Sequence, residues 1–358
     1  VDGDIMDLLK KLKPEIDKTI EKYLPKEATQ EWLEFAFGKP RYEYNTEAVQ
    51  KSLIDPAWDF LGRGGKRWRP VLFLLVAEAV GGDLEKLKDF VIIPEIIHNG
   101  TIMIDDVEDM GELRRGKPCT HKIFGNDIAI NTGNFMYYLP MLALIKNKEQ
   151  FEPEVVTKAY EVCTREMIAL GFGQGTDIYW HKGKVEHVKE EEYLQMCAYK
   201  TGCLARMSAK LGVVLSGGSD ELAEKVGRVA EAMGVAFQIQ DDVLDIALTG
   251  EERDKFGKAF GNDIKEGKRT LMVIHALEKA GEEDRKRLLE ILNKHTDDLE
   301  ERKEAIDIIR KYGGLDYAKD KAKSIVGEAW KEAEPLLKES RAKELLKEFV
   351  YYLVERKV

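Results

Sequence analysis

Apolar side chains recur at i, i+3, i+4 and i+7 over long stretches of the chain, the period of helices that bury one face. Val71–Val80, Phe90–Ile104, Ala129–Ile145, Val155–Leu170 and Leu222–Leu244 all carry this pattern. They are apolar enough to be core helices. Glycine pairs and clusters at 62–65, 81–82, 171–175, 217–218 and 313–314 punctuate them. Runs of alternating β-branched residues, the mark of strands, are nearly absent. Val185–Glu192 reads as a loop or a helix start. From Glu282 to Val358, Lys and Glu alternate around a Leu, Ala and Ile stripe, as in solvated outer helices. No shift of composition marks a linker, and no repeat is visible. The expectation is an all-α fold, one large helical bundle, with residues 1–40 as an N-terminal helical extension packed on a core domain of residues 41–358.

Composition adds limits. With 358 residues, 44% of them hydrophobic, the chain can bury a substantial core. Its 66 acidic residues against 56 Lys and Arg give a net charge of −10, which argues against nucleic acid as a partner. Four cysteines, at 119, 163, 197 and 203, form no CxxC pair and fit a reducing compartment. The first thirty residues alternate charged and apolar side chains without a signal-peptide core. The longest uncharged apolar run, Phe135–Ile145, is shorter than the ~20 residues that span a bilayer. A soluble, cytoplasmic protein with no stable membrane insertion is expected.

The chemistry is concentrated where two apolar helices end. Asp105, Asp106 and Asp109 close one helix and Asp241, Asp242 and Asp245 close another. In each, carboxylates at i and i+4 share a helix face one turn apart, where like charges repel. One such pattern among so many acidic residues reads as a solvated helix end. Two, each closing a buried-type helix, read as a site for a hard cation held by oxygen ligands, Mg²⁺ rather than zinc. Mg²⁺ commonly shares its coordination with substrate phosphates, so a diphosphate ligand is implied.

Basic groups answer the acidic ones. Gly62–Pro70 is a glycine-rich turn entering an apolar helix, with Gly65 allowing close approach and Lys66 and Arg69 offering charge-assisted bonds to phosphate. Arg114 and Arg115 follow the first aspartate cluster, and His98 lies two turns before it. Lys200-Thr201-Gly202, and Lys258 with Lys268, complete the set. Singly, each reads as a surface charge, and His98 as an ordinary core histidine. Together they describe two anion sites, one bridged by metal and one wholly basic.

Six segments in order, GGKRWRP, HNGTIMIDDVEDMGELRRGKP, GQGTDIYW, KTG, FQIQDDVLD and GNDIKEGK, make the chain resemble the trans-isoprenyl diphosphate synthases, and most of all the geranylgeranyl diphosphate synthases. The resemblance implies the isoprenoid-synthase bundle with a central cavity, an Mg²⁺-dependent prenyltransferase, and a homodimer. It implies that Asp105, Asp109 and Asp241 hold Mg²⁺ against an allylic diphosphate, with Asp106 and Asp245 as supporting carboxylates, Asp245 among the metal set. Arg114, Lys200, Lys258 and Lys268 would hold that diphosphate. Gly65, Lys66, Arg69, His98 and Arg115 would bind isopentenyl diphosphate. Thr201 and Gln238 would lie near the forming carbocation, and Gln174 and Asp177 on the inner helix wall. Trp68 stands where the family commonly has Leu.

In that family, bulky residues four or five positions before the first cluster shorten the product. Here Gly100 and Thr101 are small, so the prenyl tail can grow beyond farnesyl length. The next barrier is the aromatic group Phe135, Tyr137 and Tyr138, which reads equally well as ordinary core. Geranylgeranyl diphosphate is the expected product, with farnesyl or longer prenyl diphosphates as the alternative. A class I terpene cyclase would not need the second basic site. A non-catalytic subunit would be expected to have lost metal ligands that are intact here.

Overall fold

In a computed structural model, which describes residues 2–248, 253–255 and 259–355, the apolar stripes become helices, several longer than their periodicity reached. The main ones are α1 (Asp2–Tyr23), α2 (Gln30–Phe37), α3 (Asp55–Leu61), α4 (Trp68–Ala79), α5 (Ile92–Glu108), α6 (Asn126–Tyr138), α7 (Pro153–Tyr179), α8 (Glu190–Lys200), α9 (Gly202–Leu215), α10 (Asp220–Ala247), α11 (Leu271–Lys279), α12 (Glu282–Lys294), α13 (Leu299–Lys311), α14 (Gly314–Ala333) and α15 (Arg341–Glu355). A small hairpin, unannounced by any strand pattern, pairs β1 (Leu113–Arg114) with β2 (Lys117–Pro118).

The bundle is organised around α9, of which every residue but Lys210 is buried. It packs on α4, α7 and α10, while α5 packs on α6 and α10 on α14. A helix surrounded on all sides has little solvent face to keep polar, which is why this stretch is mostly apolar and its buried Arg206 is paired with Glu166. The glycine cluster 171–175 does not break a helix, contrary to its reading as punctuation. It lies inside α7, and Gly173 explains why. A Cβ there would stand 2.3 Å from the backbone nitrogen of Lys200, so only glycine lets the α8–α9 junction approach. From the other side Gly234 of α10 would place a Cβ 2.9 Å from Gly202 Cα. The Lys200–Gly202 junction is thus pinned between two helices.

The N-terminal helices share the common core. Ile5, Leu9, Ile16 and Ile20 of α1 are buried, and α1 packs on α15, α4 and α5. Tyr23 donates to Asp89 Oδ2 at 2.6 Å, and Trp32 Nε1 donates to the Tyr23 carbonyl. The outer-helix reading holds for α12 and α13, joined by Arg287 to Glu301 and Glu304. It is incomplete for α14 and α15, whose Trp330 and Phe349 are buried. By length and mean hydropathy Asn126–Gln150 is apolar enough to cross a membrane, although no single uncharged run in it reaches that length. In this fold half of its apolar window is buried.

Candidate active site

Helix α5 ends at a cavity of about 990 Å³ whose wall includes Asp105, Glu108 and Asp109, with Asp241 contributed by α10. Gln174 of α7 donates to Asp105 Oδ1 at 2.5 Å and to Glu108 Oε2 at 2.8 Å. Burial alone would raise the Asp105 carboxyl, but Lys200 and Lys268 outweigh it and hold the group far below the usual range. Asp109 goes the other way, pushed well up by burial and then by the charge of Asp105. Its Oδ1 is buried without a hydrogen-bond partner. His181 Nε2 lies 3.6 Å from that oxygen, and Lys268 Nζ lies 3.7 Å from Oδ2.

A carboxylate with an orphaned oxygen beside a second carboxylate suits a bound cation, and an all-oxygen donor set suits a hard one. Among the described residues no three acidic, His or Cys groups converge into a cage for an ion. A divalent ion here would draw further ligands from a bound diphosphate and water, as Mg²⁺ commonly does.

The pinned junction supplies the opposite charge. Lys200 Nζ is 2.7 Å from Asp177 Oδ2 and 3.5 Å from Asp105 Oδ1. Burial would lower its pKa, yet Asp105 and Asp177 hold it above the ordinary lysine value. Thr201 Oγ1 donates to Gln238 Oε1 at 3.0 Å, Gln238 Nε2 donates to Asp242 Oδ1 at 2.8 Å, and Tyr193 donates to Asp242 Oδ2. This chain fixes which way Gln238 points. Lys268, 3.1 Å from Glu266 Oε2, lines the same wall.

The same cavity is lined by a second, cationic group: Lys66 and Arg69 from the glycine-rich turn and the start of α4, Arg115 from the hairpin, and His98 from α5, with Gly65 beside them. Burial, with Arg115 nearby, pushes Arg69 down to about 10. Burial and the neighbouring arginines bring Arg115 to about 10 as well. Burial and then Arg69 and Arg115 hold His98 neutral, well below the usual histidine value. A site whose cations repel each other is prepared for an anion. Trp68 takes part here, since the Arg69 guanidinium lies 4.2 Å from its ring centroid and Phe237 packs on it at 5.4 Å. The Trp in place of Leu therefore supports a ligand candidate. Lys66 donates to Tyr352 at 3.0 Å, which brings α15 to the rim.

Beneath the acidic wall the lining turns apolar, with Ile102, Ile104, Met167, Leu170 and Leu204. Thr101, Tyr137 and Tyr138 line this part. A polar mouth with two opposed charge sets above an apolar shaft fits an amphiphile bearing an anionic head.

A family model described as polyprenyl synthetase matches residues 50–309. The chain belongs to the polyprenyl synthetase family. It is 36% identical to the geranylgeranyl diphosphate synthase of Methanosarcina mazei over 82% of this chain and 86% of that one. It is 35% identical to the short chain isoprenyl diphosphate synthase of Methanothermobacter thermautotrophicus, over 87% and 92% respectively. The solved geranylgeranyl pyrophosphate synthetase of Pyrococcus horikoshii superposes with a TM-score of 0.84 at 32% identity, covering 99% of both chains. The all-α isoprenyl synthase fold expected from the sequence is the one observed.

Within that fold most of the expected polyprenyl synthetase site assembles on the one cavity. Three expectations need correction. Asp245 is wholly buried; it accepts from the backbone of Asp263 and pairs with Arg253, bracing the end of α10 away from the cavity wall. It is a structural carboxylate here, because one turn beyond Asp241 on the same helix face it is taken up by Asp263 and Arg253. Gly100 does not floor the shaft. A Cβ there would lie 2.9 Å from the Gly133 carbonyl and from Met136 Cβ, so it is a contact point between α5 and α6. Phe135 packs into the core rather than the shaft. Asp106 faces Arg114, whose Nη2 lies 2.6 Å from Oδ1, and orients that arginine at the cavity. Asp177 sits behind Lys200. Lys258 lies outside the described residues.

Sequence reasoning passed over Arg63, Glu108 and Glu266, which line the cavity, and His181, which backs Asp109. Glu108 could have been found, being one turn beyond Ile104 on the Asp105 face. His181 carried no local signal, since it enters through an irregular turn at the end of α7.

Proposed function

We propose that this polyprenyl synthetase condenses isopentenyl diphosphate with an allylic diphosphate (dimethylallyl, geranyl or farnesyl) head to tail. Geranylgeranyl diphosphate is its main product, and it works with Mg²⁺ as a cytoplasmic homodimer. The observation that carries this reading is one cavity lined by a carboxylate cluster, a cationic cluster and a set of apolar side chains. A single-diphosphate cyclase has no use for the second anion site.

The residues suggest the following division of work. Mg²⁺ held by Asp105, Asp109 and Asp241 would neutralise charge on the leaving diphosphate. Lys200, Lys268 and Arg114 take phosphate oxygens as the allylic C–O bond breaks and the bonding pair departs with the diphosphate. Thr201 Oγ1, its proton committed to Gln238, remains a lone-pair acceptor at the wall, suited to a positive allylic carbon. Lys66, Arg69 and Arg115 orient isopentenyl diphosphate so that its π pair forms the new C–C bond. The resulting tertiary cation loses a proton, for which the released diphosphate is a chemically adequate acceptor. The apolar shaft takes the growing tail and keeps water from the cation.

Exposed Ile130 and Tyr138 on α6 and Ile168 and Phe172 on α7 support the dimer, for these two helices flank the shaft and leave apolar side chains uncovered. The net charge supports the absence of a nucleic-acid partner. The test is incubation of purified protein with radiolabelled isopentenyl diphosphate, each allylic primer and Mg²⁺, followed by chain-length analysis. Products chiefly of C20 length are expected. No condensation product, or products chiefly beyond C25, would overturn the reading.

A further inference from the structure

The glycine-rich turn that offers Lys66 and Arg69 is held from behind by the N-terminal helix. Arg67, between those two residues in sequence, has a left-handed backbone (φ 56°) and a buried side chain that does not reach the cavity. A non-glycine residue adopts such a conformation only when its surroundings fix it. Here they do so through the guanidinium. Arg67 Nη2 donates to the Leu61 carbonyl at 2.9 Å, Nη1 to the Gly64 carbonyl at 3.3 Å, and Nε to Asp17 Oδ1 of α1 at 2.9 Å.

The Gly64 carbonyl also accepts from Arg115 Nη1 at 2.7 Å. The Arg114 carbonyl accepts from Arg63 at 3.1 Å. The turn and the hairpin are therefore stapled together, and Arg67 closes both ends of the turn. Glu95 is the other acidic partner given to Arg67, at a longer 3.7 Å, and it also faces Arg69 and Arg115. Asp17 is thus the close anion that fixes Arg67, and it comes from a helix otherwise remote from the chemistry.

We infer that Asp17 is a positioning residue for the isopentenyl diphosphate site, holding through Arg67 the turn that presents Lys66 and Arg69. The inference rests on the prenyltransferase reading above. It gives the N-terminal helix a part chiefly in one substrate's binding, because Asp17 reaches the turn of Lys66 and Arg69, whereas Asp105, Asp241 and Lys200 stand on α5, α10 and α8.

Steady-state kinetics of Asp17→Asn against both substrates test this. The KM for isopentenyl diphosphate should rise about three- to tenfold, the scale of one partly exposed charge-assisted hydrogen bond. The allylic KM and kcat should stay within about twofold, a change too small to reflect a lost contact of that kind. Asp17→Glu, which keeps the anion, should recover most of the loss. Asp89→Asn breaks another tether of α1, to Lys22 and Tyr23; it should lower the melting temperature without moving the isopentenyl KM. An unchanged isopentenyl KM in Asp17→Asn, or equal rises in both KM values in Asp17→Asn and Asp89→Asn, overturns the inference. Calorimetric binding of inorganic pyrophosphate without metal reads the same site independently of turnover. If the wild-type protein condenses nothing, the functional reading falls, while weaker pyrophosphate binding by Asp17→Asn alone still decides for the brace and equal binding against it.

Discussion

Thr101→Phe should shorten the product from C20 to C15. Thr101 lies one turn before Asp105 on α5, about 6 Å along the helix axis at 1.5 Å per residue, and it lines the shaft. A phenyl group there occupies the space for the last isoprene unit. Burying five carbons at ~0.8 kcal/mol each stabilises that unit by about 4 kcal/mol, which is close to a thousandfold in partitioning. Even a quarter of that shifts the C20 to C15 ratio by about fivefold. The fold should survive, for the substitution removes only the hydrogen bond from Thr101 Oγ1 to the His98 carbonyl, a loss of ~1 kcal/mol. Gly100 offers the contrast. Its Cβ would meet Gly133 and Met136 at 2.9 Å, so Gly100→Ala should cost about 1–3 kcal/mol of stability through overpacking and leave product length unchanged. Chain-length chromatography and thermal melts of both variants decide. The floor assignment is refuted if Thr101→Phe still makes chiefly C20, or if Gly100→Ala is the one that shortens the product.

Three other outcomes follow from the site. His98 is kept neutral when folded by burial and by Arg69 and Arg115, whereas the unfolded chain takes up a proton below about pH 6.5. Its contribution to stability is therefore present above that pH and falls by up to ~1.4 kcal/mol per unit as pH drops below it; urea unfolding at pH 7, 6 and 5 should show a shallower decline in His98→Gln, and equal declines would contradict this. Asp109→Asn removes the repulsion with Asp105, so the metal-free melting temperature should hold or rise, while the increase produced by Mg²⁺ with pyrophosphate disappears; a retained increase would rule out Asp109 as a ligand. Burial pushes the Cys119, Cys163 and Cys203 thiols up to about 12 and raises Cys197 as well. A thiol reagent such as DTNB should find none of the four in the native protein and all four in denaturant, and rapid native labelling would disprove their burial.

Much of the site was legible because its residues are local to helix ends. Carboxylates at i and i+4 share a face wherever the helix goes, so Asp105 and Asp109 could be paired from spacing alone. Asp245 obeys the same spacing from Asp241 yet is consumed by Asp263 and Arg253, partners that arrive from a later segment. Gly100 and Thr101 are adjacent and both small, and nothing in their chemistry says which faces the shaft. The contact between α5 and α6 decides it. The cluster 171–175 looked like a break because glycine ends helices in isolation, whereas Gly173 is needed where another backbone passes within contact.

The sequence by itself determined the helices, the two acidic helix ends and the basic turn, because these depend on periodicity and on residues close in the chain. Tertiary structure decided which carboxylates face the cavity, where the shaft runs, and that α1 reaches the glycine-rich turn through Asp17 and Arg67. Those outcomes rest on contacts between segments distant in sequence, some of them 50 residues apart, whose geometry is set by how whole helices pack and is carried by no local pattern.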